Sequence, residues 1–201
     1  MLTDHYVTGK LWEPPEMASR EFAFMVRRGN DVIMHRHFSF TNEREVRLKA
    51  LELGAVDIFF STAIWTFPDA KSMEKKRWNG ANLVFDIDCD HLDPPTLREA
   101  WRQVVALCRV LRDDFGFEKI VIAFSGNRGY HLHVYDEGPG GKVIKLGPAE
   151  RREIADYVAS KGIRGANVDA PVTCDVHRLI RLPGSVHGKT GKICEIVYST
   201  L

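Results

Sequence analysis

At 201 residues the chain has room for one large domain or two small ones, with ample length for a core. Its 44% hydrophobic and 27% charged residues set it apart from disordered and fibrous proteins, and no apolar run nears the ~20 residues of a membrane span. A formal net charge of +1 argues against a strongly basic nucleic-acid binder and leaves nucleic acid a local patch at most.

The N-terminus is polar and unlike a signal peptide, so the protein is expected to be intracellular, with no membrane partner. Cys89, Cys108, Cys174 and Cys194 lie far apart with no C-x-x-C pair, which speaks against a zinc knuckle and, in a reducing compartment, against disulfides.

Within the first twenty residues, Trp12-Glu13-Pro14-Pro15 breaks any helix. Residues 20–25 and 31–40 are apolar, strand-like runs around Arg27-Arg28-Gly29-Asn30, the pattern of a β-hairpin with a glycine-bearing turn. Glu21 and Arg36 are charges embedded in those strands, and the simplest account of them is a cross-strand ion pair worth under ~1 kcal/mol. Residues 42–53 read as a helix, capped by Asn42 with Glu45 at N3 and closed by Gly54. Residues 55–67 are β-rich, broken only by Asp57, and 68–80 are polar and lysine-rich, the composition of a loop. Residues 81–88 form a strand expected to be central, because it is apolar on both faces before its acids begin.

Thr96-Leu97-Arg98-Glu99 is a capping box opening a helix whose stripe is Leu97, Ala100, Trp101, Val104, Val105, Cys108 and Leu111. A strand at 119–124 enters Ser125-Gly126-Asn127-Arg128-Gly129, and alternation resumes to Tyr135, so this is strand, turn, strand. A helix over 148–161, opened by Pro148, and a short strand at 193–198 complete an α/β (α+β) succession in which hairpins mix with helix-linked strands.

Chemistry concentrates in three places. In a strand, Asp86 and Asp88 leave on one side, and two carboxylates sharing a face repel unless a cation neutralises them. Hard oxygen donors suit Mg²⁺ or Mn²⁺. An isolated Asp-x-Asp is also the ordinary end of a strand running into an acidic turn. The turn Ser125-Gly126-Asn127-Arg128-Gly129 offers backbone amides and a guanidinium fork to an anion, although a plain hairpin can look the same. His131 and His133 share a strand face but lack a nearby third ligand for zinc. In the last forty residues Arg178, Arg181, His187 and Lys189 alternate with apolar residues, so at least some must point into a shared cleft.

Together, Asp86-Ile87-Asp88, Ser125-Gly126-Asn127-Arg128-Gly129-Tyr130-His131, and Val168-Asp169 followed by the run from Arg178 to Gly191 resemble the three motifs of the archaeo-eukaryotic primase superfamily. The closest likeness is to the archaeal DNA primase small (catalytic) subunit, in a minimal form, and it spans almost the whole chain in order. The resemblance implies a primase-polymerase core of mixed, largely antiparallel sheets with flanking helices. It implies one catalytic domain over 1–201, with an N-terminal αβ module (1–80) and an RRM-like module (81–201) that holds the metal site. It implies DNA-templated nucleotidyl transfer from NTPs or dNTPs with two Mg²⁺ or Mn²⁺ ions on Asp86, Asp88 and Asp169, with Asp175 as the runner-up for the third acid. Ser125, Arg128, His131, Arg181 and His187 fall on the family's triphosphate contacts, and Glu21, Arg36 and Lys189 on supporting positions. The implied partners are a single-stranded DNA template, lying over the sheet face and the basic stretch 71–77 with Trp65 or Trp78 as base-stacking candidates, and a primase large subunit. The implied location is the nucleoid.

Two features depart from the family pattern. Where relatives carry a zinc knob after the Asp-x-Asp strand, only Cys89 and His91 stand before the turn at 92–95, so no structural zinc is expected and Asp90 falls outside the site. The interval between the second and third motifs holds one loop and one helix in place of a helical subdomain, which bears on docking of a large subunit and on unaided initiation. Two rival readings follow: a superfamily polymerase that mainly extends primers, in end joining, repair or a mobile element, and a non-catalytic nucleic-acid-binding subunit.

Overall fold

A computed structural model describes residues 4–89, 91–137, 144–163 and 173–201. After a one-turn helix α1 (His5–Thr8), the hairpin β1 (Phe22–Arg28) and β2 (Asp31–Phe38) turns at Gly29-Asn30, followed by α2 (Glu43–Leu53). Next come β3 (Ala55–Ser61), β4 (Ala63–Trp65), α3 (Met73–Lys76), β5 (Trp78–Ala81) and β6 (Val84–Asp88). The chain continues through α4 (Pro94–Asp113), β7 (Ile120–Phe124), β8 (Gly129–Val134), α5 (Pro148–Ser160), β9 (Leu179–Arg181) and β10 (Glu195–Ser199). The strands form a four-stranded sheet β2-β1-β3-β9, a second four-stranded sheet β10-β7-β8-β6, and the pair β4-β5. Every pairing is antiparallel. The mixed α/β, largely antiparallel class expected from the sequence is the one found.

Each sheet has its own core. Phe22, Phe24, Ile58, Phe60 and Ile180 from alternate positions of the first sheet pack with Val46 and Ala50 of α2. Phe85, Ile87, Ile122 and Leu132 of the second sheet pack with Val104, Leu107 and Leu111 of α4 and with Ile154 and Val158 of α5. The cap of α2 is as read: Asn42 accepts the Glu45 amide at 3.0 Å, and Gly54 ends the helix at φ 65°.

Several expectations need correction. The strand β6 lies at an edge of its sheet and is not central. Its apolar residues are consumed on two faces, Phe85 and Ile87 toward α4 and Val84 toward the first core. Burial on both faces therefore says nothing about hydrogen-bonded neighbours on both sides. The helix α4 starts at Pro94, because Asp93, accepting the Thr96 amide at 2.9 Å, caps it one turn earlier than the Thr96 box. Residues 68–80 hold α3 and the start of β5 as well as loop, and Lys76 within them is fully buried. Its ammonium lies 3.6 Å from Glu21 and donates to the Pro68 carbonyl. Trp65 is buried and Trp78 is 41% exposed, so only Trp78 stays available to a base.

The Glu21–Arg36 pair exists, but it is not the weak surface contact anticipated. Opposite Ala23, β2 carries two residues, Arg36 and His37, in a bulge where His37 takes φ 72°. Arg36 donates both arms to the buried Glu21 carboxylate at 3.0 and 3.1 Å, and the His37 amide adds a third bond at 3.2 Å. Burial alone would raise the Glu21 pKa, but Arg36, Lys76 and His37 together hold it below the ordinary carboxylate value. Breaking a buried pair of this kind costs about 3–5 kcal/mol, well above an exposed one.

His133 is fully buried, stacked between Phe60 and Tyr135 with ring centroids at 5.9 and 5.8 Å. Its Nδ1 meets the Tyr135 hydroxyl at 3.3 Å, and its Nε2 has no hydrogen-bond partner among the described residues. Burial therefore pushes its pKa well below the ordinary value. The unfolded chain takes up this proton near pH 6.5 and the native state does not, so the contribution is lost as pH falls below about 6.5. His133→Phe is expected to lose about 2 kcal/mol less stability than the parent between pH 7 and pH 5, measured by urea unfolding at the two values.

Candidate active site

Strand alternation puts Asp86 and Asp88 on one face of β6, and β8 runs beside it with Asp86 opposite His131 and Asp88 opposite Gly129. The approach at Gly129 is so close that a Cβ there would lie 2.2 Å from the Ile87 carbonyl and 2.6 Å from an Asp88 carboxylate oxygen. The turn between β7 and β8 brings Ser125 to the same place. Gly126 sits there at φ 81°, with His187 against it, and its carbonyl accepts the Thr190 hydroxyl at 2.6 Å. The C-terminal loop is thus docked on the turn.

The segment 178–181 crosses from the other sheet. β9 pairs with β3 so that Arg181 stands opposite Phe59. The Arg181 guanidinium lies 4.8 Å from the Phe59 ring centroid and is ion-paired with Asp57. Asp57 also accepts the Gly188 amide at 2.9 Å. Arg178, just before the strand, donates to Asp86 Oδ2 at 2.9 Å.

These groups enclose a pocket of about 170 Å³ lined by Asp86, Asp88, Ser125, His131, Arg181 and His187, six of the residues singled out from the sequence. Arg128 does not line it, although its charge reaches Asp88. Lys189 is also outside the lining, its amide donating to His187 Nδ1 at 3.2 Å. Glu21 and Arg36 pair with each other away from the pocket. Asp169 and Asp90 lie outside the described residues. Asp175 turns back on its own loop, accepting the His177 amide at 2.8 Å. Cys89 donates its thiol to the Arg128 carbonyl.

Three lining or supporting residues, Asp57, Phe59 and Asn127, were not singled out from the sequence, and Arg178, named there among the cations of a shared cleft, was given no role. Asp57 had a visible signal, as a lone acid inside an apolar strand. Arg178 was masked by its place in a run of cations, where nothing local says which of them turns toward an acid on another sheet.

The electrostatics are those of a crowded anionic pair. Burial raises the Asp86 pKa, with Arg178 and then Arg181 pulling the other way. Asp88 is raised by burial and then by the charge on Asp86. Burial, helped by Arg181 and Arg178, pushes His131 down to about 3, so this imidazole is neutral at physiological pH. Its Nε2 sits 3.6 Å from Asp86, and its Nδ1 has no partner among the described residues. His187 is lowered by burial and then by Arg181. Asp86 and Asp88 present hard oxygen donors and a surplus of negative charge, which fits a divalent cation such as Mg²⁺ or Mn²⁺. Among the described residues no group of three or more His, Cys, Asp or Glu side chains converges as a ligand set. No helix among them is long and apolar enough to cross a membrane.

Comparison with known proteins adds an independent line. The sequence model of a family described as DNA primase small subunit matches residues 85–164. The DNA primase small subunit of Archaeoglobus fulgidus is 35% identical, over 94% of this chain and 76% of its own length. That of Pyrobaculum calidifontis is 36% identical over 90% and 71%, and that of Saccharolobus solfataricus 32% over 96% and 74%. Among solved structures, the polymerase domain of Mycobacterium tuberculosis Ligase D, in complex with DNA, superposes with a TM-score of 0.64. It covers 98% of this chain and 79% of that one, and at 13% identity the likeness concerns the fold.

Gly129→Ala drives a methyl group into the Ile87 carbonyl and the Asp88 side chain, so a loss of about 1–3 kcal/mol is expected in urea unfolding.

Proposed function

The chain belongs to the DNA primase small subunit family, a DNA-directed nucleotidyltransferase with a primase-polymerase fold, and we propose that its phosphoryl transfer takes place in the pocket between Asp86, Asp88 and Arg181. The observation that carries this reading is the convergence of two carboxylates from one sheet with two guanidinium groups from the edge of the other. Asp86 and Asp88, with Asp169, would hold two Mg²⁺ or Mn²⁺ ions, whose chemistry is to activate the primer 3′-hydroxyl and neutralise the leaving pyrophosphate.

The remaining work is positioning and charge complementarity, with no covalent enzyme intermediate. Ser125, Arg128 and His131 grip the incoming triphosphate from the turn, and Arg181 and His187 close the other side. Arg181 is already oriented by Asp57 and Phe59, so little reorganisation is needed when phosphate arrives. A neutral His131 serves as a hydrogen-bond donor and does not add charge. Lys189 supports the loop, and Glu21 and Arg36 brace the sheet whose edge carries Arg181.

The partners inferred are a single-stranded DNA template, NTPs or dNTPs, and a primase large subunit, with action at the nucleoid. Template would pass over the exposed Lys71, Lys75, Arg77 and Trp78, whereas the buried Lys76 and Trp65 take no part. A superfamily polymerase that mainly extends primers is the second reading, favoured by the likeness to the Ligase D polymerase domain.

The test is incorporation of labelled NTPs or dNTPs on single-stranded DNA with Mg²⁺ or Mn²⁺, with and without a primer. Product in both arms is expected of a primase, and product only with primer marks the second reading. Asp86→Ala and Asp88→Ala are each expected to lose at least about a hundredfold in rate, and parental activity in either would sink the assignment. Asp169→Ala should be inactive and Asp175→Ala active. The reverse would move the third acid to Asp175.

A further inference from the structure

Two arginines face the acidic pair, and they are held very differently. Arg181 is fixed on every side, by the Asp57 carboxylate, the Val186 carbonyl at 3.3 Å and the face of Phe59. Arg178 has its backbone tied down, its carbonyl accepting the Thr62 amide at 3.2 Å and its own amide donating to Asp175. Its guanidinium, by contrast, has one bond, to Asp86 at 2.9 Å, and its buried Nε has no partner among the described residues. A single charge-assisted bond holds a cation against a carboxylate that is itself three-quarters buried.

We propose that Arg178 is the resident counter-ion of the acidic pair: it neutralises Asp86 in the metal-free protein and must swing away for a divalent cation to enter. This rests on the reading of Asp86 and Asp88 as metal ligands. Three observations carry it. Asp86 cannot give its full charge both to Arg178 and to a metal ion, so the two cations compete for one carboxylate. The space behind Arg178, between Thr62, Val84 and Thr173, is only about 10 Å³, enough for about one water and too small for a guanidinium. A displaced Arg178 is therefore barred from that side and turns toward the solvent that its side chain, 34% exposed, already meets, and toward the main pocket, which it already lines. There it meets the incoming triphosphate. Metal and triphosphate binding become linked through one side chain, since each favours the position of Arg178 that the other needs. The pair would take metal weakly when no nucleotide is present.

The experiment measures Mn²⁺ binding to the full chain by electron paramagnetic resonance of the free ion, with no DNA or nucleotide added. Arg178→Gln is expected to bind Mn²⁺ about tenfold more tightly than the parent, and Arg178→Lys, which keeps the charge, to stay near the parent. Asp86→Asn locates the signal: if it leaves Mn²⁺ binding unchanged, the ion sits elsewhere and the reading beneath the proposal falls with it. If Asp86→Asn weakens binding but Arg178→Gln does not tighten it, the counter-ion role alone is overturned. A measurement on the parent protein needs no folded variant. Mg²⁺ should speed modification of Arg178 by phenylglyoxal, read by peptide mass spectrometry, and an unchanged rate would equally overturn the proposal.

Discussion

Two carboxylates that leave one strand face two residues apart stand roughly 7 Å from each other, and at an effective dielectric near 20 their repulsion is about 2 kcal/mol. Burial adds to that cost, and both acids are correspondingly harder to ionise. Much of what surrounds β6 can be understood as an answer to this problem. Arg178 is bonded to the first acid, Arg181 adds a second positive charge, and the nearest imidazole is kept neutral by burial. Arg181 is itself balanced by Asp57, so the site carries anions and cations in near-matched number and exposes few of them fully.

The cations can reach the acids because the chain returns to its first sheet near its end. β9 pairs with β3 and delivers Arg181 at one edge, while the acids stand on the edge strand of the second sheet. Two fully buried arginines stabilise this layout without facing the pocket. Arg20 donates to the Pro15 and Ser61 carbonyls at 2.8 and 2.9 Å and to the Asn82 side chain, between the rings of Phe60 and Tyr135. Arg151 of α5 holds the carbonyls of Thr173 and Cys174 at 2.8 and 3.0 Å, a few residues before Arg178. Each guanidinium saturates buried carbonyls that would otherwise be costly, and so fixes where separate segments meet.

Much of this was legible in the chain. Hairpin, capped helix and glycine turn follow from local chemistry, and the Asn42 cap and the Ser125–Gly129 turn needed nothing from elsewhere in the molecule. The shared face of Asp86 and Asp88 followed from the period of a strand. What escaped was set by distant partners. Lys76 looks like a loop cation until Glu21 is seen beside it, and residues 179–181 look like loop because three residues carry no readable period. The edge position of β6 was hidden for a related reason: its apolar faces reported covering layers and were silent on hydrogen-bonded neighbours. In the site, Asp57 was read as a break in a strand because its counterpart Arg181 lies 124 residues away.

That separation also bears on the order in which the molecule forms. Closing a contact over 124 residues costs chain entropy before it returns any stabilisation, so pairings of this span are expected late in folding. Until β9 arrives, the free edge of β3 presents unpaired amides and carbonyls flanked by Phe59 and Phe60, a template for pairing with another chain. The ion pair that orients Arg181 for phosphate therefore doubles as a clasp that shuts an aggregation-prone edge, and losing it would be felt first as poor folding yield.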